Sequence, residues 1–382
     1  MCIRDRFKEP WNLVKLEDVC SHRKGRAKVK KAQYISTENI LQNYAGIEPY
    51  DDLSEAEGIS IQCGDTLMAN IRPYLKKVWQ SNFNGACSTD VLAFSPDNID
   101  GKFLYFLIAQ DRFVNYVMCG AKGSKMPRGD KNHILEYETG VPTESEQRKI
   151  AHFIDLLNAR ISSQNSLINL IKKYKRGSLS ALFPKKREIT PQYRFAGFTK
   201  PWEQRKAKEL FVSTADKGYP ELPVLSATQD RGMIRRDENS INIFHDKKNE
   251  AGYKRVLPGQ FVIHLRSFQG GFAYSAIEGI TSPAYTVFGF SEPEKHDSEY
   301  WKYVFTSKSF IRRLETVTYG IRDGRSISYE EFLTLGFVYP SKAEQTAIAR
   351  CLDKLSDLIT LHQHKYDTLL SLKNAILQQM FI

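Results

Sequence analysis

No apolar run in this 382-residue chain approaches the roughly 18 residues needed to cross a bilayer, and no secretory leader pattern opens it. The six cysteines, Cys2, Cys20, Cys63, Cys87, Cys119 and Cys351, are scattered without a Cys-x-x-Cys pair. Such spacing gives neither a zinc site nor a disulfide framework and reads as reduced thiols in a cytoplasmic protein. The eight histidines are equally dispersed; the nearest pair, His362 and His364, would face two directions on a helix. Acidic residues are outnumbered, 44 Asp and Glu against 55 Lys and Arg, for a formal net charge of +11. A basic balance of this size favours a polyanionic partner, most simply nucleic acid, although an ordinary basic protein carries it too. The length allows two or three domains.

What the chain does have is a long internal repeat. Pro142-Thr-Glu-Ser-Glu-Gln147-Arg-Lys-Ile150-Ala151 returns 198 residues later as Pro340-Ser-Lys-Ala-Glu-Gln345-Thr-Ala-Ile348-Ala349. The register then holds without a gap to Phe183 and Phe381. A second marker, Phe7-Lys-Glu-Pro10-Trp11, matches Phe198-Thr-Lys-Pro201-Trp202 at an offset of 191. Two copies this long, with divergent sequence between them, indicate duplication of a whole unit. The opening Met1–Arg6 has no counterpart in the second half and carries no weight.

Alternating steps of four and three from Ile150 reach Ile154, Leu157, Ile161, Gln164, Ile168, Ile171 and Lys175. From Ile348 they reach Leu352, Leu355, Ile359, His362, Tyr366, Leu369 and Lys373. Continued through Ser178 to Leu182 and through Ile376 to Met380, a period of about 3.5 residues held over more than four heptads is coiled-coil spacing and requires a partner helix along the seam. Both copies break the apolar seam at matching places, Gln164/His362 and Lys175/Lys373, as register-setting positions do. Equal length and equal interruption favour pairing of the two helices with each other over separate packing on two domains.

The regions between the copies read as mixed α/β. Thr66–Ile71 and Phe261–Leu265 follow the turns Gly64-Asp65 and Gly259-Gln260 as buried or half-buried strands and lead to Arg72 and Arg266. Phe103–Ile108 and Tyr300–Phe305 are helical stretches, each followed by a Gly-rich basic loop. The expected organisation is a first mixed domain over 1–141, a long helix over 142–184, a linker over 185–200, a second mixed domain over 201–339 and a second long helix over 340–382. The fold class is α/β (α+β): two mixed domains, an antiparallel coiled coil and a pseudo-twofold internal repeat.

Catalytic machinery is missing. No Gly-x-x-x-x-Gly-Lys-Ser/Thr loop is present, which excludes the simplest nucleotide-driven motor. Ser282-Pro-Ala-Tyr285 lacks the second proline of the loop with which amino-methyltransferases grip a flipped base, and reads as a turn entering a strand. Asp65 and Asp90 sit in turn contexts where backbone capping accounts for them. Cations, by contrast, cluster in parallel places of the two halves. Arg23, Lys24 and Arg26 open a run that continues through Lys31, and Lys122, Lys125, Arg128 and Lys131 stud a glycine-containing loop. Arg312, Arg313, Arg322 and Arg325 occupy the corresponding place in the second half. Glycine permits close backbone approach, lysine and arginine neutralise phosphates, and arginine or glutamine can read base edges.

Together these features resemble the specificity subunit of Type I restriction-modification enzymes, over essentially the whole chain. The residues that carry the resemblance are the paired Pro-x-x-x-Glu-Gln-x-x-Ile-Ala openings at Pro142 and Pro340 and the Phe-x-x-Pro-Trp segments. Tyr34–Asn39, Gly64–Lys76, Ser88–Asp90, Leu225–Ile234, His264–Gly271 and Gly320–Arg325 add to it. The resemblance implies two target-recognition domains, each reading one half of a split, asymmetric DNA site, with the helix pair setting the unread spacer. It implies no catalysis and no cofactor in this chain, which would dock two methyltransferase subunits that modify adenine N6. S-adenosylmethionine would belong to those subunits, and ATP and Mg to a further translocase/endonuclease subunit. On this basis Arg23, Lys24, Arg26, Arg72, Lys76, Lys77, Lys122, Lys125, Arg128 and Lys131 are expected at the first half-site, and Arg266, Gln269, Arg312, Arg313, Arg322 and Arg325 at the second. Two alternatives remain at this level: the detached recognition half of a fused restriction–methylation enzyme, and a non-enzymatic coiled-coil scaffold.

Overall fold

In a computed structural model that describes residues 11–52, 54–185, 188–228, 231–238, 247–264, 271–314 and 328–380, the two halves are built on one plan. The first half runs β1 (Asn12–Lys15), α1 (Leu16–Val19), β2 (Cys20–His22), β3 (Arg26–Lys30), β4 (Tyr34–Ile35), β5 (Glu55–Ile61), β6 (Thr66–Ala69), β7 (Val78–Gln80), β8 (Gly85–Cys87) and β9 (Val91–Pro96). Helices α2 (Gly101–Ile108), α3 (Asp111–Cys119) and α4 (Lys131–Leu135), then β10 (Glu138–Val141), lead into the long helix α5 (Glu144–Leu182).

The second half opens with β11 (Glu203–Lys206), α6 (Ala207–Leu210), β12 (Phe211–Thr214), β13 (Leu225–Thr228), β14 (Gly232–Arg235) and β15 (Lys254–Val256). It continues with β16 (Phe261–Ile263), β17 (Phe272–Tyr274), β18 (Gly279–Thr281), β19 (Thr286–Phe290), α7 (Ser298–Thr306), α8 (Lys308–Leu314), α9 (Tyr329–Thr334), β20 (Gly336–Tyr339) and α10 (Lys342–Met380). The chain divides into two compact units, Met1–Ser166 with Gln363–Ile382, and Leu167–His362, so each unit takes part of both long helices.

In each unit a Trp-led strand pairs antiparallel with the strand before the long helix, β1 with β10 and β11 with β20. The central sheets share one order, β2-β9-β6-β7 and β12-β19-β16-β17. The units differ in their second sheets: the first has β3-β5-β8-β4, the second the separate pairs β13-β14 and β15-β18. The expected strands after Gly64-Asp65 and Gly259-Gln260 are β6 and β16, both buried throughout, with Thr66 the one polar residue in them. The turns before them repeat bond for bond. Gly64 N–H donates to the Ser81 carbonyl at 2.8 Å and Ser81 N–H to that of Asp65 at 2.8 Å; Gly259 and Ser275 N–H do the same to Ser275 and Gln260 at 2.8 and 2.9 Å. Both glycines have positive φ, +97° and +89°, a conformation that costs other residues strain.

The Glu-Gln pairs that open the repeat are structural. Gln147 Nε2 donates to the Pro142 carbonyl at 2.8 Å, while its Oε1 accepts from Asp100 N–H at 2.7 Å. Gln345 does the same with Pro340 at 2.8 Å and Asp297 N–H at 2.9 Å. Asp100 and Asp297 are the N-caps of α2 and α7, accepting backbone N–H bonds from Phe103 and from Glu299 and Tyr300. Each glutamine therefore fastens the start of a long helix to the cap of a domain helix. The neighbouring glutamates diverge: Glu146 accepts from Trp11 Nε1 at 2.9 Å, and buried Glu344 takes a two-pronged bond from Arg194 at 2.8 and 2.7 Å.

In the first unit Phe94, Phe103, Phe113 and Ile134 pack with Ile150 and Ile154 of α5 and Leu377 of α10. In the second, Phe211, Phe261, Phe288, Trp301, Phe305, Phe310 and Phe332 pack with Leu182 of α5 and Ile348 and Leu352 of α10. Each such side chain contributes on the order of 1.5–3 kcal/mol of burial. In both units the beginning of one long helix thus meets the end of the other, which is antiparallel pairing. Ile150, Ile154, Leu157, Gln164, Ile168, Ile348 and Leu352 are buried, and Ile161, Ile171, Leu355, Ile359, His362, Tyr366 and Leu369 half-buried. The interrupting Lys175 donates to Ser356 Oγ at 2.7 Å and lies over the Tyr303 ring at 5.4 Å; burial pushes its pKa down, as it does that of Lys373. No helix among the described residues is long and apolar enough to cross a membrane.

Candidate nucleic-acid interface

Three loops of the first unit interlock beside its central sheet. Asn70 N–H, at the end of β6, donates to the Asp90 carbonyl at 2.8 Å, and Arg72 N–H donates to the Pro127 carbonyl at 2.8 Å. Lys122 and Arg128 exchange backbone bonds of 2.9 Å, closing the Gly-rich loop into a small hairpin, and Arg128 also bridges to Ile71. The Arg128 guanidinium reaches Asp90 at 3.1 Å. The segments 70–77, 88–90 and 120–131 singled out from the sequence therefore form one surface. Burial, together with the charges of Lys131 and Lys24, holds His22 below its usual range.

Within that surface the cations divide by partner. Lys24, Arg72, Lys125 and Lys131 are exposed and form no ion pair among the described residues. Lys122 pairs with Asp130 at 2.5 Å yet keeps most of its surface in solvent. Lys76 pairs with Asp111 at 2.8 Å, and Lys77 donates to the Thr37 carbonyl at 2.6 Å.

The first basic run corrects the sequence reading most. Arg23 makes a two-pronged bond to Asp65, both contacts at 3.0 Å, and Asp65 is 1% exposed. Removing one partner of a buried pair strands a charge, at a cost of ~3–5 kcal/mol, so Arg23 is committed to the fold. Asp65 Oδ2 also accepts from Gln62 N–H at 2.8 Å, the capping role expected of it. Arg26 and Lys28 lie on the exposed face of β3, opposite carboxylates of β5: Arg26–Glu57 at 3.2 Å and Lys28–Glu55 at 2.5 Å. What reads in sequence as a cation cluster is a strand whose charges are largely balanced across the sheet.

In the second unit Arg312 is exposed on α8. Arg313 turns inward, donating to the Gly336 carbonyl and lying 5.4 Å over the Phe337 ring, and burial lowers its pKa. It fastens α8 to β20. Arg266, Gln269, Arg322 and Arg325 lie outside the described residues. Ser282–Tyr285 is the turn it was read as, with Ser282 Oγ accepting from Ala284 N–H at 3.3 Å ahead of β19.

Sequence reasoning missed Tyr44, Tyr74, Asp111 and Met126. Tyr74 and Met126 are 47% and 51% exposed beside Arg72 and Lys125, and add apolar area to a charged surface. Tyr74 lay within the Gly64–Lys76 stretch and was legible from there. No group of three or more His, Cys, Asp or Glu able to hold a metal occurs among the described residues.

The outer faces of both long helices expose large apolar side chains: Phe153, Leu156, Leu167, Leu170 and Tyr174 on α5, and Leu358, Leu361, Leu370 and Leu372 on α10. Isolated exposed leucines are ordinary; here Phe153, Leu156, Leu167, Leu170 and Tyr174 fall on one side of α5, and Leu358, Leu361 and Leu372 on one side of α10.

Residues 8–173 match the family model of the Type I restriction modification DNA specificity domain. A 106-residue stretch is 26% identical to the Type I restriction enzyme EcoDI specificity subunit of Escherichia coli, covering 28% of this chain and 24% of that protein. Solved structures resemble nearly the whole chain. The Type-I restriction-modification system S subunit from M. genitalium gives a TM-score of 0.60 at 12% identity, over 99% of this chain and 98% of that one. The HsdS subunit from Thermoanaerobacter tengcongensis gives 0.51 at 17% identity over 98% of both. A chain from a study of complex assembly and conformational transition of the type I R-M system gives 0.57 at 17% identity over 98% of both. At these identities the structural likenesses establish the fold.

Proposed function

We propose that this chain, whose residues 8–173 match the model of the Type I restriction modification DNA specificity domain, is a member of that family and the sequence-reading subunit of such a complex. Each unit reads one half of a split DNA site, and the paired helices set the distance between the halves. The observation that carries this reading is the repetition of scaffold without repetition of surface. The Gly turn, the glutamine staple and the central sheet order recur, while the second sheets and loop side chains do not. A duplicated scaffold with two different surfaces suits an asymmetric target. The interlocked loops with Lys24, Arg72, Lys125 and Lys131 form the first reading surface, where phosphate contacts fix register and base contacts specify. The apolar rows on α5 and α10 dock the methyltransferase subunits. S-adenosylmethionine, ATP and Mg are held by partner subunits, and this chain has no catalysis of its own.

A gel shift tests this directly. Duplex DNA carrying the target is retarded by the chain assembled with its methyltransferase subunits, and an unrelated duplex is released at lower salt. Equal retention of both duplexes, or none, supports a scaffold in place of a reader.

A further inference from the structure

The non-glycine residues with left-handed backbone among the described residues are Asn43, Tyr44, Arg72 and Lys76, with φ of 56°, 59°, 53° and 54°. Side chains disfavour this conformation, and it persists where surroundings over-determine it. These four residues lie in two segments bonded to each other, Asn43 N–H to the Leu75 carbonyl at 3.1 Å and Tyr44 N–H to the Lys76 carbonyl at 3.0 Å. One carboxylate fastens both: Tyr44 Oη donates to Asp111 Oδ1 at 3.2 Å, and Lys76 Nζ to Oδ2 at 2.8 Å. The Asp111 side chain is 60% exposed, and Tyr44 also packs its ring against the core of the first unit.

The strained segment has one outward product. Arg72 is held on both sides, its N–H on the Pro127 carbonyl at 2.8 Å and its carbonyl on Leu75 N–H at 2.9 Å, while its side chain is exposed and forms no ion pair. Lys24, Lys125 and Lys131 show no positive φ. A phosphate contact tolerates slack in a long side chain, whereas a two-pronged base contact does not.

We infer that Asp111 is a positioning residue for sequence reading, holding the Tyr44 and Lys76 segments so that Arg72 meets a base edge in the first half-site. The inference rests on the reading of this chain as a split-site DNA reader. The edge that fits a fixed guanidinium fork is one with two adjacent acceptors, as guanine offers in the major groove.

The test uses the full chain assembled with its methyltransferase subunits and a duplex pool randomised across the target, scored for base preference at each position and for salt dependence. Arg72→Ala lowers a guanine preference at one position of the first half-site by about ten-fold or more. Asp111→Asn lowers the preference at that same position by roughly five-fold, leaves the other positions and the salt slope unchanged, and adds nothing to Arg72→Ala in the double variant. Tyr44→Phe, which removes one hydroxyl, acts at the same position more weakly and serves if Asp111→Asn fails to fold. A wild-type complex without any split-site preference removes the DNA reading and the inference together. An intact split site with Asp111→Asn, or Tyr44→Phe in its place, weakening every position evenly, acting elsewhere or acting nowhere overturns the inference alone.

Discussion

Replacing Gln147 with alanine lowers the thermal midpoint of the full chain by roughly 6–12 °C, and Gln345→Ala does the same. Each amide is nearly inaccessible, 4% and 0% exposed, and joins a proline carbonyl to the N–H of a helix cap. Truncation leaves both backbone groups buried and unsatisfied and opens a small cavity, together about 3 kcal/mol. For a unit of this size each kcal/mol moves the midpoint by about 2–4 °C. Gln147→Glu is at least as damaging as alanine at neutral pH, because a buried carboxylate still accepts from Asp100 N–H but sets an unpaired charge against the Pro142 carbonyl. Differential scanning calorimetry of the three variants decides the matter. A shift below about 2 °C for both alanine variants would remove the staple from the account and leave the paired Glu-Gln sequences unexplained.

Changing Lys24, Lys125 and Lys131 together to glutamine weakens target binding by on the order of a hundred-fold and flattens its salt dependence. Each phosphate contact contributes about 0.9 to the slope of log K against log salt, so three lost contacts reduce it by roughly 2.7. Arg26→Gln with Lys28→Gln is the informative control. Those cations face Glu57 and Glu55 across β3 and β5, and removing them leaves affinity within about two-fold. Fluorescence anisotropy over a salt series, on the assembled complex, measures both sets. If the β3 pair mattered more than the loop lysines, the sorting of cations by their partners would be wrong.

Much of the fold was legible in sequence. The seam was, because a 3.5-residue period is a local property and the structure buries or half-buries every position it marked. The strands after the two glycine turns and the helices at 101–108 and 298–306 were legible for the same reason. The partners of charged groups were not. Arg23 finds Asp65 42 residues away, Arg26 finds Glu57 31 residues away, and Gln147 finds Asp100 47 residues away. Only the closed sheet and helix packing bring these groups together, so a run of cations cannot disclose which are already neutralised. Arg313 was misplaced for a simpler reason. It follows buried Phe310 by three residues, a local spacing that turns it inward and that the doublet Arg312-Arg313 obscured.

The central claim, a constant helix pair holding two separate readers, is tested most directly by mapping methylated adenines genome-wide in cells carrying this subunit with its partners. The account predicts a split motif of two fixed blocks around an unread gap. Inserting residues between Gly177 and Lys186 should lengthen the gap and leave both blocks unchanged. A single uninterrupted motif, or an insertion that rewrites either block, would contradict it.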